Sequence, residues 1–283
     1  MASAVGTVAS FPLSDRAQFP SRLLFVSALC LAFLPCAQAQ DAKQSVQQAV
    51  DTELAADQAD HSHWLYYDED RKPKSTVKQW AAETSQYDLY RVLEEAGRTL
   101  PESEQRKRID DFRRNPSDQA KQKKSGAEDN RQATQLLKLL PQAFLWTRTN
   151  TTDNSSTIYH FKPRPDFSPP SREARVFAAM EGDMTVDNKQ HRIASLKGRL
   201  IRDVKFGGGL FGRLYSGGTF SVERRELADG IWQITETHIH IEGHALIFKS
   251  ISEVEDQVKS KFRHLPDNIS PDEAEKELFN AGK

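Results

Sequence analysis

Between Asp41 and Asp60, apolar residues recur at three- and four-residue spacing, with Val46, Ala49, Val50 and Leu54 on one stripe. That period predicts an amphipathic helix with one buried face. Beyond Asp60 the period shortens. Runs at Trp64–Asp68, Thr76–Ala82 and Tyr87–Glu94 are strand-like and joined by short polar links such as Asp70–Lys74. They predict an antiparallel meander.

The pattern changes over residues 99–140. Thr99-Leu100-Pro101-Glu102 has capping-box spacing with Pro in the first turn, and Asn115-Pro116-Ser117-Asp118 reads as a second helix start. Apolar residues are sparse until Leu136, Leu137, Leu139 and Leu140. Two or three mostly solvated helices are expected, with only the last well anchored. Nine basic and seven acidic residues between positions 101 and 132 suit a solvated lobe. A docking surface for a partner or for anionic lipid heads is the alternative.

From Phe144 onward strands dominate. They are predicted at Phe144–Thr149, Thr157–Lys162, Asp183–Asp187, Arg192–Leu200, Thr219–Leu227, Ile231–Glu242 and Ala245–Ser252. Asn154, Asp187-Asn188, Asp229-Gly230 and Glu242-Gly243 mark turns. Pro163 to Pro170 reads as an extended linker, after which Ser171 caps a short helix. Ser270-Pro271-Asp272-Glu273 has capping-box spacing and opens a terminal helix with Ala274, Leu278 and Phe279 on its buried face. Strands without regular strand–helix alternation predict an α+β fold with a large antiparallel sheet.

Composition sharpens that picture. Apolar residues make up 37% of the chain, against roughly 45–50% in a compact globule, a figure that also counts Gly. One curved sheet with helices covering one side fits this better than a thick layered fold. The chain carries 39 Lys and Arg against 40 Asp and Glu. A nucleic-acid binder would show a basic excess, and none is present.

The first 39 residues read as a cleavable secretory signal. Arg16 and Arg22 precede an apolar run from Leu23 to Leu34, Pro35 ends it, and Ala37-Gln38-Ala39 supplies small residues for cleavage after Ala39. The run is too short to span a ~30 Å hydrocarbon core, and no membrane span is expected after cleavage. Residues 40–283 are then a single domain carrying the helical insertion at 99–140. Both cysteines, Cys30 and Cys36, fall within the signal. The exported chain would therefore have no disulfide, no thiol chemistry and no cysteine-held metal.

Few motifs carry chemistry. Gly207-Gly208-Gly209-Leu210-Phe211-Gly212 has the letters of a dinucleotide-binding turn, but that turn must open a helix within a strand–helix–strand unit. Here the flanks are strand-like, and Gly217-Gly218 follows closely. The segment reads instead as a mobile loop exposing Leu210, Phe211, Leu214 and Tyr215 as candidate ligand or partner contacts. His61-Ser62-His63 and His238-Ile239-His240 each place two imidazoles on one strand face, a geometry that suits a metal only if the two strands are adjacent. A two-residue turn at Glu242-Gly243 would turn His244 away from His238 and His240. A polar outer strand face is the simpler expectation for these histidines. No zinc-protease, nucleophile-elbow or phosphate-loop motif occurs. No acid–base pair stands out, and no cofactor or metal is expected.

One hairpin carries a resemblance. Glu181-Gly182-Asp183-Met184-Thr185-Val186-Asp187, four residues, and then Arg192-Ile193 read as strand, turn and return strand. Together with the order of helix, meander, export signal and late strands, this resembles periplasmic lipoprotein-carrier-like proteins, the LolA-like group with its lipoprotein-sorting and sigma-regulator relatives. The segment at 99–140 departs from the small carriers, and no lid-locking arginine aligns. The resemblance implies a half-open antiparallel barrel with helices across its mouth, enclosing an apolar cavity for acyl chains. The leading expectation is an exported, periplasmic or secreted, non-enzymatic envelope protein that binds a lipid, a lipoprotein acyl chain or an envelope partner. A metal-dependent hydrolase using His61, His63, His238 and His240 is one alternative. An envelope sensor or scaffold without a lipid ligand is another.

Overall fold

A computed structural model of the chain describes residues 34–149, 154–209, 212–244 and 253–282. Residues 1–33, which hold most of the expected signal, lie outside these residues. Helix α1 (Leu34–Ala59) buries Val46, Ala49 and Val50, as its stripe predicts. The chain then runs through β1 (His63–Lys72), β2 (Ser75–Ala82), β3 (Leu89–Glu95) and the short β4 (Arg98–Thr99). Helices α2 (Glu102–Arg113) and α3 (Pro116–Ala143) form the insertion. There follow β5 (Phe144–Thr149), β6 (Ser156–Pro163), α4 (Arg172–Phe177), β7 (Met180–Asp187), β8 (Ile193–Leu200), β9 (Val204–Phe206) and β10 (Gly212–Leu214). β11 (Thr219–Ala228), β12 (Ile231–Ile241), β13 (Gly243–His244), β14 (Glu253–Leu265) and α5 (Pro271–Asn280) complete the described elements.

The fold is α+β, built on one large antiparallel sheet. Eleven strands stand in the order β4-β3-β2-β1-β14-β12-β11-β8-β7-β6-β5. Among the described residues the sheet does not close into a barrel, and β4 and β5 are its edges. A three-stranded sheet, β13-β10-β9, is not hydrogen-bonded into it.

The two meanders, β1–β4 and β5–β8 with β11 and β12, are joined by β14, which pairs with β1 on one side and β12 on the other. Sequence pattern does not predict this strand, because charged residues occupy both of its faces. Its neighbours explain why it forms. Lys72 of β1 pairs with Glu255 at 3.0 Å, and His238 of β12 pairs with Asp256 at 2.7 Å. Lys259 and Lys261 lie over the rings of Tyr66 and Tyr67, respectively. Cross-strand pairing and cation–π contact replace the apolar alternation that usually marks a strand.

The predicted hairpin at Glu242-Gly243 is corrected. Gly243 and His244 leave the main sheet and pair with Leu214 and Arg213 of β10. The strand expected at Ala245–Ser252 lies outside the described residues. The capping box predicted at Thr99 is also absent: Thr99 belongs to β4, and α2 begins after Pro101 without a side-chain cap. The other three predicted starts hold. Asn115 accepts from the Ser117 and Asp118 amides, Ser171 caps α4, and Ser270 with Glu273 forms a complete capping box on α5.

Side-chain alternation places helices on both faces of the sheet. On one face Leu65, Trp80 and Leu89 pack against Ile109 of α2 and against Ala274, Leu278 and Phe279 of α5. α2 is thus better anchored than expected. The other face, over β5–β8, β11 and β12, packs against α1, the carboxyl-terminal end of α3 and α4. Residues 123–133 of α3 are exposed throughout, as expected of a solvated segment.

One row across the sheet shows how close this packing is. Phe161, Gly182, Gly198, Phe220 and Ile239 are successive cross-strand partners. A Cβ at Gly182 would collide with the Lys197 carbonyl oxygen, and one at Gly198 would stand 2.5 Å from the Phe220 ring. The paired glycines let the Phe161 and Phe220 rings close over backbone. Gly182 is the glycine of the hairpin that carries the sequence resemblance.

Candidate functional site: an apolar cavity between sheet and helices

Several large apolar residues packed against the main core are only partly buried: Leu54, Leu137, Phe177, Leu196, Phe220 and Ile239 among them. In a close-packed interior such residues would be fully buried. All six line one cavity of about 1110 Å³. Their exposed area faces that cavity.

Three helices and the sheet build it. α1 contributes Leu54 and Ala56 from its inward stripe, α3 contributes Leu136, Leu137 and Leu140, and α4 contributes Val176 and Phe177. The opposite wall is β8, β11 and β12, with Leu196, Phe220, Ile239 and Ile241. Phe206 of β9 and Leu214 of β10 also line it. Exposed residues on its wall, among them Asn130, Gln132, Arg172 and Glu173, give the cavity a polar margin that reaches solvent.

One group of lining residues is charged and buried. Glu53 of α1 lies on the inward stripe seven residues after Val46. Its carboxylate accepts from Arg192 Nη2 at 3.0 Å, from Arg224 Nη1 at 2.5 Å and from the Ile193 amide at 2.6 Å. Arg192 in turn donates to the Gly230 carbonyl at 2.8 Å, in the β11–β12 turn. Burial pushes the Glu53 carboxyl up, but Arg192 and Arg224 outweigh it and hold the group below the usual carboxylate range. The cluster ties α1 to the start of β8, to β11 and to the β11–β12 turn. Sequence reading missed it, although an acidic residue on the apolar stripe of α1 was the available signal.

The cavity-facing side of the sheet turns polar toward β1–β3. Burial, with Asp88 nearby, raises the Glu83 carboxyl to about 7, while its Oε2 accepts the Trp64 amide at 2.9 Å. Burial also raises Asp68, Asp88 and the phenol of Tyr66.

The four sequence-predicted contact residues separate. Leu210 and Phe211 lie outside the described residues. Leu214 is not an exposed loop residue but a buried member of β10, because pairing with β9 and β13 turns it inward onto the cavity. Tyr215 is exposed. Of the four, therefore, the structure brings Leu214 to the cavity.

The histidine pairs do not meet. His63 stands opposite Leu265 of β14, whereas His238 and His240 stand opposite Asp256 and Val254. Nine to eleven residues of strand separate these positions, roughly 30 Å at ~3.3 Å per residue. His238 and His240 both bond to Asp256, at 2.7 and 3.0 Å, on the face away from the cavity. Asp256 raises the His238 ring and is itself lowered. Among the described residues no group of three or more potential ligands is arranged to hold a metal, and none of the helices is long and apolar enough to cross a membrane.

The protein defined by these features has a large open antiparallel sheet, helices on both faces and an apolar cavity beneath three of them. No protein-family model, curated protein or solved structure matches this chain.

Proposed function

We propose that this chain is an exported, non-enzymatic binding protein that takes an apolar ligand, an acyl chain of a lipid or lipoprotein, into the cavity beneath α1, α3 and α4. The observation that carries this reading is the apolar volume of about 1110 Å³, just above the ~300–1,000 Å³ usual for small-molecule sites. Leu137, Phe177, Leu196, Phe220 and Ile239 present apolar surface to that space, and each methylene they bury contributes about 0.8 kcal/mol. The resemblance of the 181–193 hairpin to lipoprotein-carrier-like proteins supports the same reading, as does the order of helix, meander and late strands. The signal expected to end at Ala39 supports a periplasmic or secreted location. A sensor or scaffold without a lipid ligand would have no use for so large an apolar cavity, and this favours the carrier over that alternative.

Two measurements test the proposal. Amino-terminal sequencing of the exported chain should give Gln40 or Asp41. An environment-sensitive apolar dye should bind the purified protein and be displaced by a long-chain fatty acid or phospholipid. Ile239→Arg, which puts a charge on the cavity wall, should abolish both signals. A protein that binds no dye, extracts no lipid and retains Met1 overturns the reading.

A further inference from the structure

A second concavity, of about 370 Å³, shares no lining residue with the apolar cavity. Its walls are the Pro163–Pro169 linker, the end of α4 at Arg175 and Ala178, and the β8–β9 connection from Arg202 to Lys205. The walls are held in place. The Arg164 amide donates to the Ala143 carbonyl at 3.0 Å, the Ile201 amide to Ala179 at 3.0 Å, and Arg202 Nη2 to Ala178 at 3.0 Å. Three prolines fix φ along the linker, and Phe167 packs into the main core.

Four cations line this space, Arg164, Arg175, Arg202 and Lys205, against one lining carboxylate, Asp203. That carboxylate is committed elsewhere: it accepts from Arg213 Nε at 2.6 Å and from the Ser216 amide at 2.8 Å. The nearby Asp166 is held by both arms of Arg164, at 2.7 and 3.0 Å. Among the described residues no carboxylate pairs with Arg175, Arg202 or Lys205. Three cations without a carboxylate partner among the described residues therefore line one preformed pocket, in a chain whose net charge is only −1.

We propose that this pocket binds a phosphate-type oxyanion. Two guanidinium forks and an ammonium supply directional and point-charge donors for such a group. The oxyanion could be a free phosphate or the headgroup of an anionic phospholipid, and the experiment separates these sources. The proposal does not depend on what fills the apolar cavity, since the first probe has no tail.

The test uses the purified chain with two probes: inorganic phosphate, followed by calorimetry, and vesicles of phosphatidylglycerol against phosphatidylcholine, followed by flotation. Arg175→Ala with Lys205→Ala removes two exposed cations that make no structural hydrogen bond, so the melting temperature should not move. Binding should fall at least about tenfold, as expected when charge-assisted bonds are lost. Lys121→Ala with Lys123→Ala removes the same charge from exposed α3 and should leave binding unchanged. Loss of phosphate binding identifies a free phosphate as a sufficient ligand. Loss of phosphatidylglycerol binding alone identifies the headgroup. Binding of neither probe, or equal weakening by the α3 control, overturns the proposal.

Discussion

Glu53 on α1 and Arg192 at the entry to β8 form a buried ion pair, Nη2 to Oε2 at 3.0 Å, with both side chains less than a tenth exposed. They are far apart in sequence, and the pair sits on the wall of the apolar cavity. A buried charge is tolerated only with a partner, and removing one partner leaves the other uncompensated.

Glu53→Gln should therefore destabilise the protein by about 3–5 kcal/mol, because Arg192 and Arg224 would keep their charge without a counter-ion. The contribution also has a pH sign. The folded carboxyl lies below its ordinary value. Its stabilisation is thus present above the unfolded value and lost as pH falls through the folded one. Chemical denaturation from pH 7 downward should show the wild type losing stability toward the variant. Equal stability of the two proteins at pH 7 would contradict the account.

Glu83 behaves in the opposite sense. Its folded carboxyl is raised to about 7, so the native state holds a proton that the unfolded chain releases near its ordinary value. Stability from this group should fall as pH rises from about 4.5 to 7, then level off. Glu83→Gln keeps an acceptor for the Trp64 amide and removes the titration. The variant should be more stable than wild type at pH 8 by up to about 2–3 kcal/mol, at ~1.4 kcal/mol per unit, and close to it at pH 5. Paired urea titrations at the two pH values measure the difference.

Gly182 tests the close approach of β7 and β8. A methyl group there would meet the Lys197 carbonyl oxygen, which is backbone and cannot rotate aside. Gly182→Ala should cost more than about 3 kcal/mol, beyond the usual range for surface substitutions. Gly126→Ala, on exposed α3 with open space around it, should instead be neutral or stabilising by up to about 1 kcal/mol. Thermal melts of the two variants should move in different directions, and similar shifts would remove the packing argument.

Leu214 tests the inward turn of β10. Buried and lining the cavity, it should lose about 2–5 kcal/mol on Leu214→Ala if the surroundings relax little. The enlarged cavity should accept a bulkier apolar dye. A surface residue would show neither effect, so denaturation and dye titration together decide between a core position and a loop.

Local pattern determined most of the elements. Three-and-four spacing placed α1 on Val46, Ala49 and Val50, and strand-like runs placed β1–β3, β5–β8, β11 and β12. Asn115, Ser171 and Ser270 marked three helix starts, because an N-cap is a contact between residues two or three positions apart. The α+β class with a large antiparallel sheet followed from the order of those elements. Tertiary structure decided the rest, because the deciding interactions are non-local. β14 is a strand because Lys72, His238, Tyr66 and Tyr67 on its neighbours satisfy charges that leave no alternation in its own sequence. Leu214 turns inward only because β9 and β13 flank it. Glu53 meets Arg192 and Arg224 only once α1 lies across β8 and β11. The cavity belongs to no single segment: it is the space left where α1, α3 and α4 rest on the sheet, and no local pattern encodes such a space.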